Sequence, residues 1–418
     1  MSGVFDEFEW RGLVHQVTDP KLADVLAHES LTAYIGFDPT GDSLHAGSLL
    51  PVLNLRRLQE AGHSVIPLLG GGTGLIGDPS GRDSERQLLS EGELEANLLG
   101  IRRQIESLLH DDARVLDNGE WLRRMTLTEF LRDVGKYFSV NEMVRKESVK
   151  TRLEAREQGI SFTEFSYMLL QAWDFVHLFD AYGCRLQLGG SDQWGNITEG
   201  VDLIRRLRGE HAFGLTSPLL TLPGGAKMGK SEGATRVWLD PKRTSPYQFF
   251  QYWVRADDAS VGAYLRFFTF LERGSIEELD KATADHPERR EAQQALAWEV
   301  TSLVHGEAEA AKAKHAAEVL FTEDVAGLDE ATLLDVMADA PASDVARDGI
   351  ALVDALVSTG LAKSKSAART AIEQGGAYVN NRREQDLERR ITVDDALHGR
   401  YVLLRRGKRD FHLLRLAG

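Results

Sequence analysis

The feature that most restricts the fold is one local pattern met several times: a short apolar run that stops in glycine or a polar turn, followed by a helical stretch. Residues 31–37 are rich in β-formers and close on Asp38-Pro39-Thr40-Gly41, and residues 63–69 close on Gly70-Gly71-Gly72. Residues 185–188 close on Gly189-Gly190, and a further short strand is expected at 114–116. Between them, residues 93–109 and 164–179 carry apolar side chains at the three- and four-residue spacing of an amphipathic helix. Such alternation predicts an α/β, Rossmann-like domain built on a parallel sheet with helical crossovers. In open sheets of this kind ligands bind beyond the carboxyl ends of the strands, where glycine lets the backbone come close. One site is expected there.

The chain of 418 residues is too long for a single ordinary core. Residues 245–321 read as helical without clear strands, and 322–348 as an acidic, Ala/Asp-rich, short helical connector with flexible parts. The last segment is compact: two helices at about 350–359 and 364–374, then Gly375-Gly376, then strand-like runs near 378–379 and 401–404. The expected division is 1–220, 221–245, 246–320, 321–349 and 350–418, the last a small α+β domain.

Charge adds direction. The net charge of −15 argues against nucleic acid, since phosphate binding needs Lys and Arg. From Ile350 onward, however, 13 Lys and Arg face 8 Asp and Glu, so an acidic body carries a basic tail fit for RNA. No apolar run approaches the ~20 residues that span a bilayer, and the acidic start Met1-Ser2-Gly3-Val4-Phe5-Asp6-Glu7 resembles no targeting segment. The lone Cys184 excludes an intramolecular disulfide and fits a reducing compartment, so a cytoplasmic location is expected and a membrane partner is not. Cys184 itself reads as a small buried residue, not a nucleophile. The twelve histidines show no zinc-ligand spacing, so no protein-ligated metal is expected.

Two elements suit a nucleotide. His45-Ala46-Gly47-Ser48 follows a strand and opens an apolar helix over 49–58. A helix N-terminus offers free N–H groups to a triphosphate, Gly47 lets a flat base lie on the backbone, and His45 can donate to a phosphate oxygen. Lys227-Met228-Gly229-Lys230-Ser231 lies in a Gly-rich stretch, where two lysines can neutralise charge developing on phosphate. Alone, the first is more often a helix cap and the second a solvated loop. A third run, Gly72-Thr73-Gly74-Leu75-Ile76-Gly77, fits the dinucleotide fingerprint, but Asp78-Pro79-Ser80-Gly81 follows at once and permits no helix there. A nicotinamide or flavin enzyme is disfavoured.

Together, His45–Ser48 and Lys227–Ser231 resemble the paired HIGH and KMSKS signatures of class I aminoacyl-tRNA synthetases. The likeness narrows over four runs: Tyr34-Ile35-Gly36-Phe37-Asp38-Pro39-Thr40-Gly41, Gly77-Asp78-Pro79-Ser80-Gly81, Tyr167-Met168-Leu169-Leu170-Gln171-Ala172-Trp173-Asp174 and Gly189-Gly190-Ser191-Asp192-Gln193-Trp194-Gly195-Asn196. These resemble bacterial tyrosyl-tRNA synthetases. The resemblance implies ATP, brought with Mg²⁺, as co-substrate, L-tyrosine and tRNA(Tyr) as partners, and a homodimer with its interface near 121–160. It implies a catalytic domain over 1–220, an anticodon-side helical domain over 246–320 and an S4-like RNA-binding domain over 350–418.

Residue roles follow from the same resemblance. Tyr34 and Asp174 are implied to bind the substrate phenol, and Asp78, Tyr167, Gln171 and Gln193 the rest of tyrosine, chiefly its ammonium group. Gly36, Asp38, Gly47, Ser48, Gly190, Asp192 and Lys230 are implied at the nucleotide, with Thr40, His45, Lys227 and Lys230 stabilising the reacting phosphate. Arg82 and Arg86 could hold diphosphate or the tRNA end, and Lys363, Lys365, Arg369, Arg382 and Arg383 are implied to meet RNA. The residues argue for tyrosine independently. A buried phenol needs partners for its hydroxyl, and a pair such as Tyr34 and Asp174 would be left unpaired by phenylalanine. Tyr167, Gln171 and Asp174 are spaced i, i+4, i+7 and share one helix face. Ser48 and Gly229 depart from the usual signatures, and Pro51 fits only if it falls in its helix's first turn. The rivals are a tryptophanyl-tRNA synthetase, an inactive RNA-binding scaffold and a small-molecule nucleotidyltransferase. The phenol pair argues against the first, intact Asp78, Gln171 and Lys230 against the second, and the basic tail against the third.

Overall fold

The computed structural model describes residues 3–80, 89–146, 149–150, 153, 160–220, 236–319, 323–338, 340–407 and 410–416. Lys227, Lys230, Arg82 and Arg86 lie outside the described residues. Two compact units emerge: 1–243 with 257–292, and 244–256 with 293–418.

The first unit is built on a six-stranded sheet. Its strands are β1 (Gln16–Val17), β2 (Thr32–Phe37), β3 (Ser64–Leu69), β4 (Leu116–Asp117), β5 (Cys184–Gly190) and β6 (Phe213–Ser217), in the order β1-β6-β5-β2-β3-β4. All neighbouring pairs are parallel except β1 with β6. From β2 the chain runs outward to β3 and β4, then returns to β5 and β6 on the other side. The order therefore reverses between β2 and β5, and a crevice opens at such a reversal, beyond the carboxyl ends of the two strands. The expected site has its topological cause. β6 was not foreseen: Phe-Gly-Leu-Thr-Ser carries a glycine and two hydroxyls, yet every residue of it is buried.

Alternation along β2 divides its side chains between two layers. Tyr34 joins the cluster of Ile66, Leu68, Met168 and Phe175 under the Phe162–Tyr182 helix. That helix starts at Ser161, whose hydroxyl accepts from the Glu164 N–H, and ends at Gly183 with φ 62°. Ile35 points the other way, to a slot it shares with Leu50 of the Ala46–Glu60 helix. Cys184 is fully buried in β5, and burial pushes its thiol well above the ordinary range. After β3, residues Thr73–Leu75 make a single 3-10 turn where a dinucleotide fingerprint would start a helix.

Two buried arginines explain why part of the expected 246–320 helical domain belongs to this unit. The Asp258–Phe268 helix ends on carbonyls that Arg11 and Arg57 collect. Arg57 donates to the Phe267 and Thr269 oxygens (2.9 and 3.0 Å), and Arg11 to those of Arg266, Thr269 and Leu271 (2.9, 3.0 and 2.8 Å). Cations at a helix C-terminus satisfy its orphan carbonyls and oppose its dipole. Burial, followed by the Arg11 charge, pulls the Arg57 pKa down to about 9.

In the second unit the Pro246–Val254 helix packs against the Glu307–Val319 and Glu330–Val336 helices. A five-stranded sheet follows, from β7 (Ala342–Val345), β9 (Ala377–Val379), β10 (Arg382–Glu384), β12 (Tyr401–Arg406) and β13 (Asp410–Leu416), ordered β10-β9-β12-β13-β7. β8 (Ile350–Ala351) and β11 (Arg390–Ile391) form a separate pair. The β9–β10 turn is Asn380-Asn381, both at positive φ (48° and 62°), the backbone that a two-residue hairpin needs. One sheet face packs Val402, Leu404 and Leu414 on the helices Leu352–Ser358 and Lys365–Glu373. The expected linker at 321–349 is a correction. The helix expected there is Glu330–Val336, but the acidic composition hides the strand β7, which runs parallel to β13 at the sheet edge. Leu333 and Met337 are buried there with Leu403 and Leu413, and that apolar contact fixes the segment. Among the described residues, no helix is long and apolar enough to cross a membrane.

Candidate active site

A cleft of about 310 Å³ lies at the reversal point. It is bordered by Tyr34, Gly36, Asp38, Thr40, His45, Gly47, Asp78, Tyr167, Gln171, Asp174, Gly190, Asp192 and Gln193, so the sequence-predicted tyrosine residues and most of the predicted nucleotide residues meet in one place. Ser48 does not border it. Its N–H donates to the His45 carbonyl at 2.7 Å within the opening helical turn.

At the closed end Tyr34 is 1% exposed, its ring 5.2 Å from that of Phe175. The Tyr34 Oη is buried without a hydrogen-bond partner, an uncommon and costly condition for a hydroxyl. Burial, then the nearby Asp174 carboxylate, raises the phenol pKa well above 10, so Tyr34 stays protonated and can donate. Asp174 is held by two donors: Asn118 Nδ2 to Oδ2 at 2.8 Å and Trp121 Nε1 to Oδ1 at 2.7 Å. Burial pushes its pKa up to about 7 against the pull of those two hydrogen bonds. Asn118 is saturated, for its other N–H goes to Thr73 Oγ1 (2.9 Å) while Oδ1 accepts from the Gly72 and Thr73 N–H groups (2.8 and 3.4 Å). Trp121 stacks on His177 at 4.2 Å, which fixes its indole. Asp174 thus has a set orientation with acceptor capacity remaining.

The middle of the cleft is a connected polar network. Asp78 accepts from the Ser80 N–H (2.8 Å) and from Gln193 Nε2 (2.6 Å). Gln193 Oε1 accepts from Gln171 Nε2 (3.1 Å), and Asn196 Nδ2 donates to Gln171 Oε1 and Gln193 Oε1 (3.0 and 3.2 Å). Tyr167 donates to Asp38 Oδ1 at 3.3 Å. The helix-face expectation holds geometrically: Tyr167, Gln171 and Asp174 all reach the cleft from the Phe162–Tyr182 helix. A carboxylate, two amide oxygens and a phenol oxygen suit a cationic ammonium group.

At the open end His45 is the N-cap of the Ala46–Glu60 helix, its Nδ1 accepting from the Gly47 N–H at 3.0 Å. The neutral ring then carries its proton on Nε2, so the cap reading and the phosphate-donor reading are compatible. Pro51 corrects an expectation. It stands in the second turn, where it lacks the N–H that would bond the Gly47 carbonyl. Gly47 and Pro51, with Ile35, Leu50, Gly190 and Leu219, also line an adjoining, mainly apolar slot of about 90 Å³. A Cβ on Gly190 would sit 2.7 Å from Asp192 Oδ1, so glycine lets that carboxylate fold back.

The sequence reading missed Asn118, Trp121, Thr73 and Asn196. Asn118 directly follows β4, a strand end that the expectation at 114–116 stopped short of. Asn196 lies in an already recognised run, one turn beyond Gln193. In the second unit Lys363, Lys365, Arg369, Arg382 and Arg383 are all exposed, and Lys365 pairs with Asp354 at 2.7 Å. Arg405, not singled out, lies 3.8 Å over the Tyr378 ring and 5.9 Å from Phe411.

Two family models match the chain. The model for class I tRNA synthetases (W and Y) covers residues 26–322, and that for the tyrosine–tRNA ligase SYY-like C-terminal domain covers 332–414. A tyrosine–tRNA ligase of Roseiflexus castenholzii is 53% identical over 100% of both chains, and one of Geobacillus stearothermophilus is 48% identical over 98% of this chain and 99% of its own. Among solved structures, a C-terminally truncated mitochondrial tyrosyl-tRNA synthetase of Aspergillus nidulans is similar with TM-score 0.70 and 33% identity, over 77% of this chain and 95% of that one. A tryptophanyl-tRNA synthetase of Encephalitozoon cuniculi, at TM-score 0.56 and 14% identity, covers 79% of this chain and 90% of its own and shares the fold alone.

Proposed function

We infer how the cleft works from one premise: the chain belongs to the tyrosine–tRNA ligases of synthetase class I. The enzyme activates L-tyrosine with ATP to tyrosyl-adenylate and diphosphate, then transfers the tyrosyl group to the 3′-terminal adenosine of tRNA(Tyr). The residue assignment that follows is our reading.

The observation that carries it is the orphaned Tyr34 hydroxyl, buried in a cleft whose same end holds Asp174 by two donors. A substrate phenol entering there accepts from Tyr34 and donates to Asp174, and it satisfies both groups at once. Phenylalanine satisfies neither. Asp78, Gln171 and Tyr167 take the ammonium group, with Gln193 and Asn196 keeping the amides oriented. This leaves the tyrosine carboxylate toward the nucleotide end.

There the adenine occupies the slot of Gly47, Leu50 and Leu219, and the ribose hydroxyls meet Asp38, Gly190 and Asp192, beside Gly36. The carboxylate attacks the α-phosphorus in line, and the bond to the bridging oxygen of the departing diphosphate breaks. Because the nucleophile is already ionised, catalysis consists of positioning and charge stabilisation. Thr40 and His45 supply donors, and Lys227 and Lys230 charge; Mg²⁺ arrives bound to the ATP phosphates. In the second step a terminal ribose hydroxyl of tRNA attacks the mixed-anhydride carbonyl and AMP leaves. The basic exposed set Lys363, Lys365, Arg369, Arg382 and Arg383 binds RNA phosphates, and the helical part of the chain faces the anticodon side. The exposed apolar side chains Leu127, Leu131 and Val140 within 121–160, with Phe162 just beyond it, support a homodimer in the cytoplasm.

Tyrosine-dependent ATP–diphosphate exchange with Tyr34→Phe tests the reading. Losing one neutral hydrogen bond should weaken tyrosine binding by about 0.5–1.5 kcal/mol and relax the rejection of phenylalanine. It should not lower the melting temperature of the ligand-free chain, where the hydroxyl has no partner. Unchanged discrimination against phenylalanine would remove Tyr34 from the phenol site.

A further inference from the structure

Among the described residues, the cleft wall carries the carboxylates of Asp38, Asp78, Asp174 and Asp192, with His45 as its basic side chain. A triphosphate placed against such a wall requires fixed cations near its leaving end. Two arginines stack on one aromatic ring, and that ring meets His45. The Trp238 indole meets the His45 imidazole edge-on at 6.4 Å, with the Arg236 guanidinium over the indole at 5.0 Å and that of Arg243 at 4.5 Å.

The ring is firmly placed. His45 and Trp238 form a backbone bridge, Ala46 N–H donates to the Val237 carbonyl at 2.9 Å, and Leu239 N–H donates to that of Leu44 at 2.9 Å. Ser43 Oγ accepts from the Asp240 N–H at 3.2 Å. Residues 237–240 are therefore tied to the loop that carries Thr40 and His45. Arg243 is already paired, with Asp42 at 2.6 Å. Arg236 is exposed, and among the described residues the ring is its partner. A guanidinium lying on an indole keeps its in-plane N–H fork for an oxyanion and has fewer rotamers to lose on binding one.

We propose that Arg236, stacked on Trp238 beside His45, is a further phosphate-binding residue of the activation step. It takes the β- and γ-phosphates of ATP, or diphosphate in the reverse reaction, and Trp238 is its positioning residue. The proposal rests on the reading of the cleft as the ATP site.

Exchange kinetics on the full chain test it, with tyrosine affinity measured separately by equilibrium dialysis. Arg236→Ala should raise KM for ATP and for diphosphate about tenfold, the scale of one charge-assisted hydrogen bond, with tyrosine Kd unchanged. Arg236→Lys should recover part of the loss, since it restores charge without the fork. Trp238→Leu should shift the diphosphate KM in the same direction at unchanged tyrosine Kd. A diphosphate KM within twofold of the parent in Arg236→Ala overturns the proposal. So does a variant whose exchange is unchanged while KM for tRNA rises, because Arg236 would then be an RNA contact. Absence of exchange in the unsubstituted chain would instead overturn the ATP-site reading.

Discussion

Replacing Gly100 by alanine should damage the chemistry from a position that touches no substrate. Gly100 lies on the Glu91–Leu108 helix, and a Cβ there would sit 2.0 Å from the Asp42 carbonyl oxygen and 2.9 Å from its carbon. Carbon and oxygen pack no closer than about 3.3 Å, so helix and loop must part by roughly 1 Å. The same helix face grips the loop on either side. Asn97 Nδ2 donates to the Pro39 carbonyl at 3.0 Å, Gln104 Oε1 accepts from the Leu44 N–H at 2.7 Å, and Gln104 Nε2 donates to Ser43 Oγ at 2.9 Å. Forcing the face away displaces the loop bearing Asp38, Thr40 and His45, while Tyr34, Asp78 and Asp174 hang on other elements. A misplacement of about 1 Å costs on the order of 10²-fold in rate, near 2.7 kcal/mol of barrier. Single-turnover adenylate formation should therefore slow about 100-fold, with tyrosine Kd within about twofold of the parent. Overpacking should also lower stability by about 1–3 kcal/mol, so the assay belongs well below the melting temperature. Gly92→Ala is the control: it lies on the same helix, its Cβ would meet nothing within 4 Å, and it should leave the rate unchanged. If Gly100→Ala forms adenylate within threefold of the parent rate, the grip of this helix does not position the loop.

In the proposed reading Asp174 accepts the phenol when ionised, and burial holds its pKa at about 7, so tyrosine affinity should rise as pH passes upward through 7. Asn118→Ala removes one donor to that carboxylate and should move the midpoint higher; a pH-independent tyrosine Kd would contradict this. The sign for stability runs the other way. A carboxyl raised from about 3.9 in the unfolded chain stabilises the ligand-free fold fully below that value and loses its contribution as pH climbs through 7, so tyrosine should raise the melting temperature more at pH 8 than at pH 6. Finally, Leu127→Glu and Phe162→Glu place charges on exposed apolar side chains and should convert the proposed dimer to monomers by light scattering, whereas an unchanged mass would overturn their part in an interface.

What could be read in the sequence was whatever rests on local periodicity or on a run of adjacent residues. Tyr167, Gln171 and Asp174 share a helix face by arithmetic alone, and the glycines after β3 mark its end without reference to the rest of the chain, whereas Gly189 and Gly190 are the last two residues of β5. Residues acting at long range were not readable. Trp121 and Asn118 hold Asp174 across 53 and 56 positions of chain, and nothing in the motif of Asp174 announces a partner so distant. Gly100 matters through one carbonyl in another segment. β7, Ala-Ser-Asp-Val, has the composition of a connector and becomes a strand because β13 offers it an edge.

That edge bears on how the molecule can be dissected. A fragment cut at residue 350 would keep the basic surface and both small helices, yet strip the outer side of β13 over Leu413–Leu416, where β7 pairs from Ala342 to Val345. An open strand carrying Leu413, Leu414 and Leu416 is a template for intermolecular addition. Grafts and isolated-domain experiments should therefore begin before Pro341, whose carbonyl accepts from the Leu413 N–H at 2.9 Å. The portable module is longer than its charge suggests, and an apparent loss of RNA affinity in a shorter fragment would report stickiness, not recognition.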